Sequence, residues 1–518
     1  MKGTLEKCLV GFVFVVITLI LFLFKSNTWI FGFGDNTFIV DLLGNIARTG
    51  KPLSQISATI AEWFGSILFK PAPEVCALPL SSPATPLFNY FKWHPYLVLY
   101  VLAPLSWLIA PLGALSVATA LSFSSLLLAV YCISRREGGG IVTTVLATIF
   151  VASLPVWSYG IQGQQYVDRF VLGLGIWFMY WLHYKRETEW LGWFLALCTI
   201  SISDRYGFMV GALTCGYFVL HPRAFRYPRD LRWIGVAIFG VLFTVCSIAF
   251  YVEYVLTDGF IKRITLSDTI EKVLSPNHEM KVFLLLNFVV VGVFACRAWR
   301  FYLLGAGLLL PNLMGSIGGA EKTGFSTHYH SMYFPLMAMA IAMGVAKWAR
   351  TSRGFAFVVP MLLACGVLLN CGMWKPGAEL SWKKKYVETN PLFQIWRDLV
   401  SSYDGPLALR RQQLNALNQA IPRGSRVTTP EMFMPALFDG HEVHLYPVGM
   451  RDSDYIVYQA SPQSDGTIGL FAAFSHLGKA DREAQEACLK ERARAFGFDL
   501  DNPTFVGEAA IVRKVQKP

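Results

Sequence analysis

The sequence predicts a polytopic α-helical membrane protein that carries a small C-terminal α/β domain outside the bilayer. Three observations predict it. Hydrophobic residues fill 54% of the 518 positions and charged residues only 15%, against about 25% charged in soluble domains. Long apolar runs recur through residues 1–375 and stop there. The basic residues behind the +11 net charge fall in short clusters between those runs rather than in one patch, so they mark topology and not nucleic-acid binding.

The runs lie at 8–31, 113–134, 141–160, 170–184, 190–204, 206–221, 233–256, 282–296, 301–318, 331–347 and 355–374. A helix needs about 20 apolar residues to cross a bilayer, which gives roughly eleven spans. Asp204 and Arg205 divide 190–221 into a tight helical pair or one broken helix. The start, Met1-Lys2-Gly3 followed by an apolar stretch, resembles a signal peptide, but no small-residue cleavage site follows. It is expected to stay as a first helix and anchor.

Sidedness follows from the basic clusters. With Lys2 and Lys7 cytoplasmic, alternate connections carry Arg135 and Arg136; Lys185 and Arg186; Arg223, Arg226, Arg229 and Arg232; Arg297 and Arg300; Lys347, Arg350 and Arg353. This is the positive-inside pattern, and it puts the C-terminal segment outside. The run 94–112 is apolar enough to cross, but counting it would break the alternation, and it holds Pro95, Pro104 and Pro111. It is expected to be interfacial or re-entrant within a long first outer loop, about 32–112. Phe38 to Ala47 and Ile56 to Leu68 in that loop have apolar residues at helical spacing, as interfacial helices do.

The tail, 376–518, changes character. It opens with Trp382-Lys383-Lys384-Lys385. Helices are expected at 407–421 and 479–496, and strands at 425–428, 442–446, 454–458 and 504–515. A domain of about 140 residues is of ordinary size. It has no phosphate-binding Gly-rich loop and no nucleophile elbow. The ten Cys show no C-x-x-C pair or metal-ligand spacing. Cys132, Cys198, Cys215, Cys246 and Cys365 lie in apolar runs and read as small hydrophobes. Cys76, Cys371 and Cys488 fall outside them, where an oxidising compartment permits a disulfide.

Several polar residues stand out against this background. Asp35 follows the first run, with Asp41 shortly after. Either Asp35 N-caps the helix behind it or it is a general base for an acceptor hydroxyl or amine. His94-Pro95 stands where the long loop meets its last apolar helix. Asp168-Arg169 and Asp204-Arg205 occupy matching positions between apolar runs. Charges at membrane depth are costly and usually face a cavity. Each pair is a local ion pair, or its arginine holds an anion such as a phosphate. His328-Tyr329-His330 is a poor metal site, because residues two apart on a helix do not share a face. All these clusters are predicted on one outer side, where they would be able to converge.

At these residues the chain resembles the GT-C superfamily of polyprenyl-phosphate-sugar glycosyltransferases. Asp35-Asn36-Thr37-Phe38 leads through Ile46-Ala47-Arg48-Thr49-Gly50-Lys51-Pro52 to His94-Pro95-Tyr96. That order is similar to an acidic residue, a helix ending in Gly, and a His-Pro or Lys-Pro segment. It is more similar still to a prokaryotic GT-C-like multi-pass family of unknown function, over Asp41 to Pro52, His94 to Pro104, His328 to Pro335, and from Ala420 to Val457. Two positions depart from that family: Ser203-Asp204-Arg205 replaces a Lys-Glu-Asp-like stretch, and Asp168-Arg169 a Phe-His.

The resemblance implies a transmembrane domain over 1–375, an extracytoplasmic domain over 376–518, and a place in a prokaryotic inner membrane. It implies sugar transfer from a polyprenyl-phosphate donor, with Asp35 as base and Asp41 as fallback. Arg169, Arg205 or His328 and His330 would stabilise the leaving phosphate, and His94, Asp168 and Asp204 would contact substrate. No nucleotide is needed, and a divalent metal is left open. Expected partners are the lipid-linked donor and membrane lipids, with no nucleic acid. The competing class is a transporter or flippase of a lipid-linked or anionic solute. Against it, the two halves show no repeat. A third is a sensor or assembly factor whose tail binds a partner.

Overall fold

The computed structural model describes residues 2–28, 35–67, 72–84, 87–163, 165–184, 187–227, 230–257, 288–314, 328–368, 370, 391–430, 432–437, 440–459 and 479–515. All but the first residue of the expected loop 257–281, most of 319–330, the Trp382–Lys385 stretch, Cys371, Lys185, Arg186 and Arg229 lie outside the described residues.

The molecule is mainly helical. The first helix, α1 (Lys2–Thr28), packs one side on α6 (Pro111–Arg136). Its other side exposes Leu5, Leu9, Phe12, Val15 and Leu19. An apolar face of that size on a long helix marks contact with lipid. Two helices among the described residues are long and apolar enough to cross a membrane in one piece: Thr4–Thr28 and Pro111–Arg136. The apolar stretch 288–309 turns back at Cys296–Ala298, where Tyr302 OH donates to the Phe288 carbonyl (2.9 Å), so Arg297 and Arg300 lie at a connection as expected. The run 141–160 is not one helix. It forms α7 (Ile141–Ser153) and α8 (Pro155–Gln162), bent by 55°. Pro155 supplies no amide hydrogen, so the break falls where the ladder cannot continue.

The other apolar runs give shorter helices: α9 (Val171–Tyr184), α10 (Glu189–Ile200), α11 (Asp204–Leu220), and the helices Phe334–Ala349 and Arg353–Leu368. The Phe334–Ala349 helix is buried from Phe334 through Ala346, which is why it is apolar all round. The run 190–221 resolves as the pair α10 and α11. Helix α11 lies hard against α12 (Leu231–Thr257). A Cβ on Gly207 would stand 2.4 Å from the Gly240 carbonyl oxygen, so the contact requires glycine.

Between α1 and α6 runs the long loop. It contains α2 (Asp35–Thr49), α3 (Gln55–Ser66), α4 (Ala72–Ala77) and α5 (Val98–Leu102). A short antiparallel ribbon joins β1 (Leu53–Ser54) to β2 (Phe88–Asn89). The run 94–112 is not a continuous helix. α5 passes into a 3₁₀ turn, Ala103–Trp107, and exposes Leu97, Val101, Trp107 and Leu108. Trp107 Nε1 donates to the Ala47 carbonyl (2.9 Å) and Tyr100 OH to that of Gly50 (3.1 Å), fixing this elbow to α2.

The tail holds a five-stranded mixed sheet, in the order β4-β3-β5-β7-β6. β3 (Arg426–Thr429) lies parallel to β4 (Glu442–Leu445) and β5 (Tyr455–Gln459). The single strand expected at 504–515 is a hairpin of β6 (Thr504–Val506) and β7 (Ala509–Arg513). Gly507 takes the left-handed conformation that the turn needs (φ +58°). Helices Pro406–Ala420 and Lys479–Ala495 accompany the sheet, and a further amphipathic helix, Pro391–Ser401, packs on α1 and α8.

Candidate functional site

A polar cluster is buried at the end of the bundle where α1 finishes and α11 begins. Its members come from three distant stretches. His94 Nδ1 lies 3.2 Å from Asp204 Oδ1. Asp204 opens α11 after an extended Ser203, and its position is fixed by the Gly207–Gly240 contact and by Thr244 Oγ1, which donates to the Asp204 carbonyl. Burial by itself would push the Asp204 carboxyl up. The hydrogen bond and charge of His94, with the Arg205 charge, instead hold it below the usual carboxylate range.

Asp168 sits beside this pair in the 3₁₀ turn Val167–Phe170. Tyr96 OH donates to its Oδ2 (3.3 Å), Ser203 Oγ to its Oδ1 (3.4 Å), and Tyr206 OH to its backbone carbonyl (3.0 Å). The Tyr96 ring is stacked on the His94 ring, with centroids 5.6 Å apart. His94, Tyr96, Asp168, Ser203 and Asp204 therefore form one connected network.

Two basic side chains adjoin it. Arg169 is 1% exposed. Ser122 Oγ donates to its carbonyl (2.8 Å), and its guanidinium lies near Gly160 and over the Phe123 ring. Burial pulls the Arg169 guanidinium down to about 10, against the raising influence of Tyr166, Asp168 and Tyr206. Lys25, in the last turns of α1, is also buried, and its Nζ donates to the carbonyls of Ile161 (3.0 Å) and Gly163 (2.7 Å). It caps the C-terminus of α8, where the helix dipole favours a cation. The Arg169 guanidinium, beside Asp168 at the edge of the network, is the basic group suited to an anion there.

The remaining candidates fall as follows. Asp35 is the first residue of α2, and its side chain lies outside the described residues. One turn on, Phe38 meets Tyr90 (5.3 Å between ring centroids), and Tyr90 meets Tyr96 (5.5 Å). The start of α2 is thus linked to the network by aromatic contacts. Asp41 is elsewhere. Its Oδ2 accepts from Ser54 Oγ (2.7 Å) and the Gln55 amide (3.1 Å), its Oδ1 from Asn45 (3.1 Å). It caps the first turn of α3 from a distance, and burial pushes its carboxyl up against those bonds. His330 is fully buried, with Nδ1 3.1 Å from Tyr333 OH. Its turn, His328–Ser331, packs against the turn that holds Asp168 and Arg169. The His328 side chain lies outside the described residues. Arg205 is half-buried.

Lys25, Tyr96 and Ser203 had not been singled out from the sequence. Lys25 carried the one available signal, a charge inside the first apolar run. The two hydroxyls carried none.

The chain is similar in fold to a solved structure, ArnT from Cupriavidus metallidurans bound to undecaprenyl phosphate, with a TM-score of 0.53 over 98% of each chain at 10% identity. No protein-family profile matches the sequence, and no curated protein does. At that identity the likeness is one of fold.

Proposed function

We propose that the protein transfers a sugar from a polyprenyl-phosphate donor to an acceptor on the extracytoplasmic side of a prokaryotic inner membrane. The observation that carries this reading is the meeting of His94, Asp168 and Asp204 in one network at one end of the bundle, with Arg169 adjoining it. It occurs in a fold shared with a protein that binds undecaprenyl phosphate. The Cys76–Cys488 bridge supports the sidedness, because a disulfide between the long loop and the tail fits an oxidising compartment.

In this mechanism the donor phosphate sits against the positive end of the network. Arg169 and Arg205 face its charge, and His330 supports the wall beside Arg169. Asp35 takes the proton from the acceptor hydroxyl or amine. The acceptor atom bonds to the anomeric carbon as the bond from that carbon to the phosphate oxygen breaks. The configuration inverts, and polyprenyl phosphate leaves with the electron pair. The cations stabilise the charge that grows on that oxygen. Asp41 is a poor base by comparison, since its carboxylate already accepts bonds that hold α3.

The test is release of polyprenyl phosphate by the purified protein in lipid, offered a panel of polyprenyl-phosphate sugars and acceptors. Wild type is expected to release it and Asp35→Asn to be slower by about 10²–10⁴-fold, with unchanged thermal unfolding. Equal release by both would remove Asp35 from the role of base. No release from any donor, together with solute flux in proteoliposomes, would replace the reading with a transporter.

A further inference from the structure

The segment that delivers His94 is held from the tail as well as from the membrane bundle. Cys76, at the end of α4, is bonded to Cys488 in the helix Lys479–Ala495, 412 residues away in sequence. Arg492, one turn further along that helix, donates to the Leu78 carbonyl (3.1 Å). The Arg451 and Gly449 amides donate to the carbonyls of Leu80 and Ser81 (both 3.0 Å). The Ser82 amide donates to Asp452 Oδ2 (2.7 Å). Residues 79–83 belong to no helix or strand, so these bonds to the tail satisfy backbone groups that no regular ladder serves. Leu80 takes a left-handed conformation (φ +50°) and is 4% exposed. A non-glycine residue keeps that conformation only where its surroundings impose it.

A second contact lies behind the first. His444 of β4 is buried, with Nδ1 3.3 Å from Thr59 Oγ1 on α3 and Nε2 3.4 Å from Ser82 Oγ and 3.1 Å from Glu442. From Ser82 the chain runs on to β2, which pairs with β1, and into the 3₁₀ turn Tyr90–Lys92. The His94 amide donates to the Tyr90 carbonyl (3.1 Å). The tail thus holds 76–82 directly, and through α3, which packs on both β4 and β2, it reaches the strand that leads to His94 and Tyr96.

We infer that the tail domain is a positioning element for the candidate site: Cys76–Cys488, Asp452 and His444 hold residues 76–82 so that His94 and Tyr96 meet Asp204 and Asp168. The transfer step itself rests on the function proposed above, and the positioning does not. An apposition good to a few tenths of an ångström matters, because a misplacement of about 1 Å costs on the order of 10²-fold in rate.

The experiment uses the full-length protein in lipid. Wild type is compared before and after reduction with a phosphine, alongside Cys76→Ser/Cys488→Ser and Asp452→Ala. Alkylation followed by mass measurement reports the bridge. Backbone hydrogen exchange is followed over 78–97 and over β3 and β5, and polyprenyl phosphate release gives kcat and KM. Loss of the bridge is expected to speed exchange over 78–97 by about tenfold, with β3 and β5 unchanged. It is also expected to lower kcat about tenfold, with little change in the donor KM. Asp452→Ala is expected to do the same with the bridge intact. Unchanged exchange over 78–97 after verified reduction would overturn the inference. So would faster exchange throughout β3 and β5, which would make the bridge a stabiliser of the tail alone. Loosening of 78–97 with unaltered kcat would also overturn it. If 78–97 loosens as expected while wild type releases no polyprenyl phosphate, the positioning stands and sugar transfer falls.

Discussion

His94 Nδ1 and Asp204 Oδ1 lie 3.2 Å apart across 110 residues of sequence, with the two side chains 21% and 12% exposed. The bond joins the long loop to the first residue of α11. An acidic partner on one ring nitrogen fixes which nitrogen carries the proton and how the ring is turned.

Asp204→Asn is therefore expected to lower sugar transfer by about 10–100-fold, as removal of an orienting partner typically does. His94→Ala is expected to be at least as severe. The sign of the pH effect follows from the depressed Asp204 carboxyl. Stabilisation from the ionised group is present above the unfolded carboxylate pKa and is lost as pH falls through the lower folded value. Thermal unfolding from mildly acidic to strongly acidic pH should show wild type losing stability more steeply than Asp204→Asn. Parallel curves would dissociate the pair from stability.

Asp41 is expected to behave differently from Asp35. Asp41→Ala removes the acceptor for Ser54 and for the first turn of α3, a loss of about 1–2 kcal/mol by analogy with helix caps. Thermal unfolding in detergent should register it, while activity per folded molecule stays near that of wild type. Loss of activity without loss of stability would return Asp41 to the chemistry.

Lys25→Met leaves the Ile161 and Gly163 carbonyls without their donor, at a cost of about 1–3 kcal/mol. Binding of a soluble isoprenyl phosphate, measured by titration calorimetry in detergent, should weaken by about tenfold if Lys25 also donates to an anion. Unchanged affinity with lowered stability would confine Lys25 to capping α8.

Gly207→Val places a side chain where Gly240 O stands 2.4 Å from the Cβ position. Overpacking of this kind costs about 1–3 kcal/mol, and it displaces the turn that carries Asp204. Lower thermal stability and lower transfer should appear together. A folded, fully active variant would show that α11 and α12 need no close approach.

The sequence alone determined the membrane class, because charge depletion and apolar run length are set by the solvent and not by folding partners. It also marked two of the tail's helices, Pro406–Ala420 and Lys479–Ala495, and most of its strands, where period and turn residues are local signals; the helix Pro391–Ser401 it left unmarked. It located Asp168-Arg169 and Asp204-Arg205 because a charge between apolar runs is expensive wherever it lies. Only the tertiary structure decided which of these charges meet. His94 contacts Asp204 rather than another acid because α5 docks on α2 and a glycine contact sets α11 against α12, relationships with no sequence period. Tertiary structure likewise decided that Asp41 caps α3, that Lys25 caps α8, and that Cys76 pairs with Cys488. Those facts depend on contacts between residues far apart in the chain, and local spacing carries no information about them.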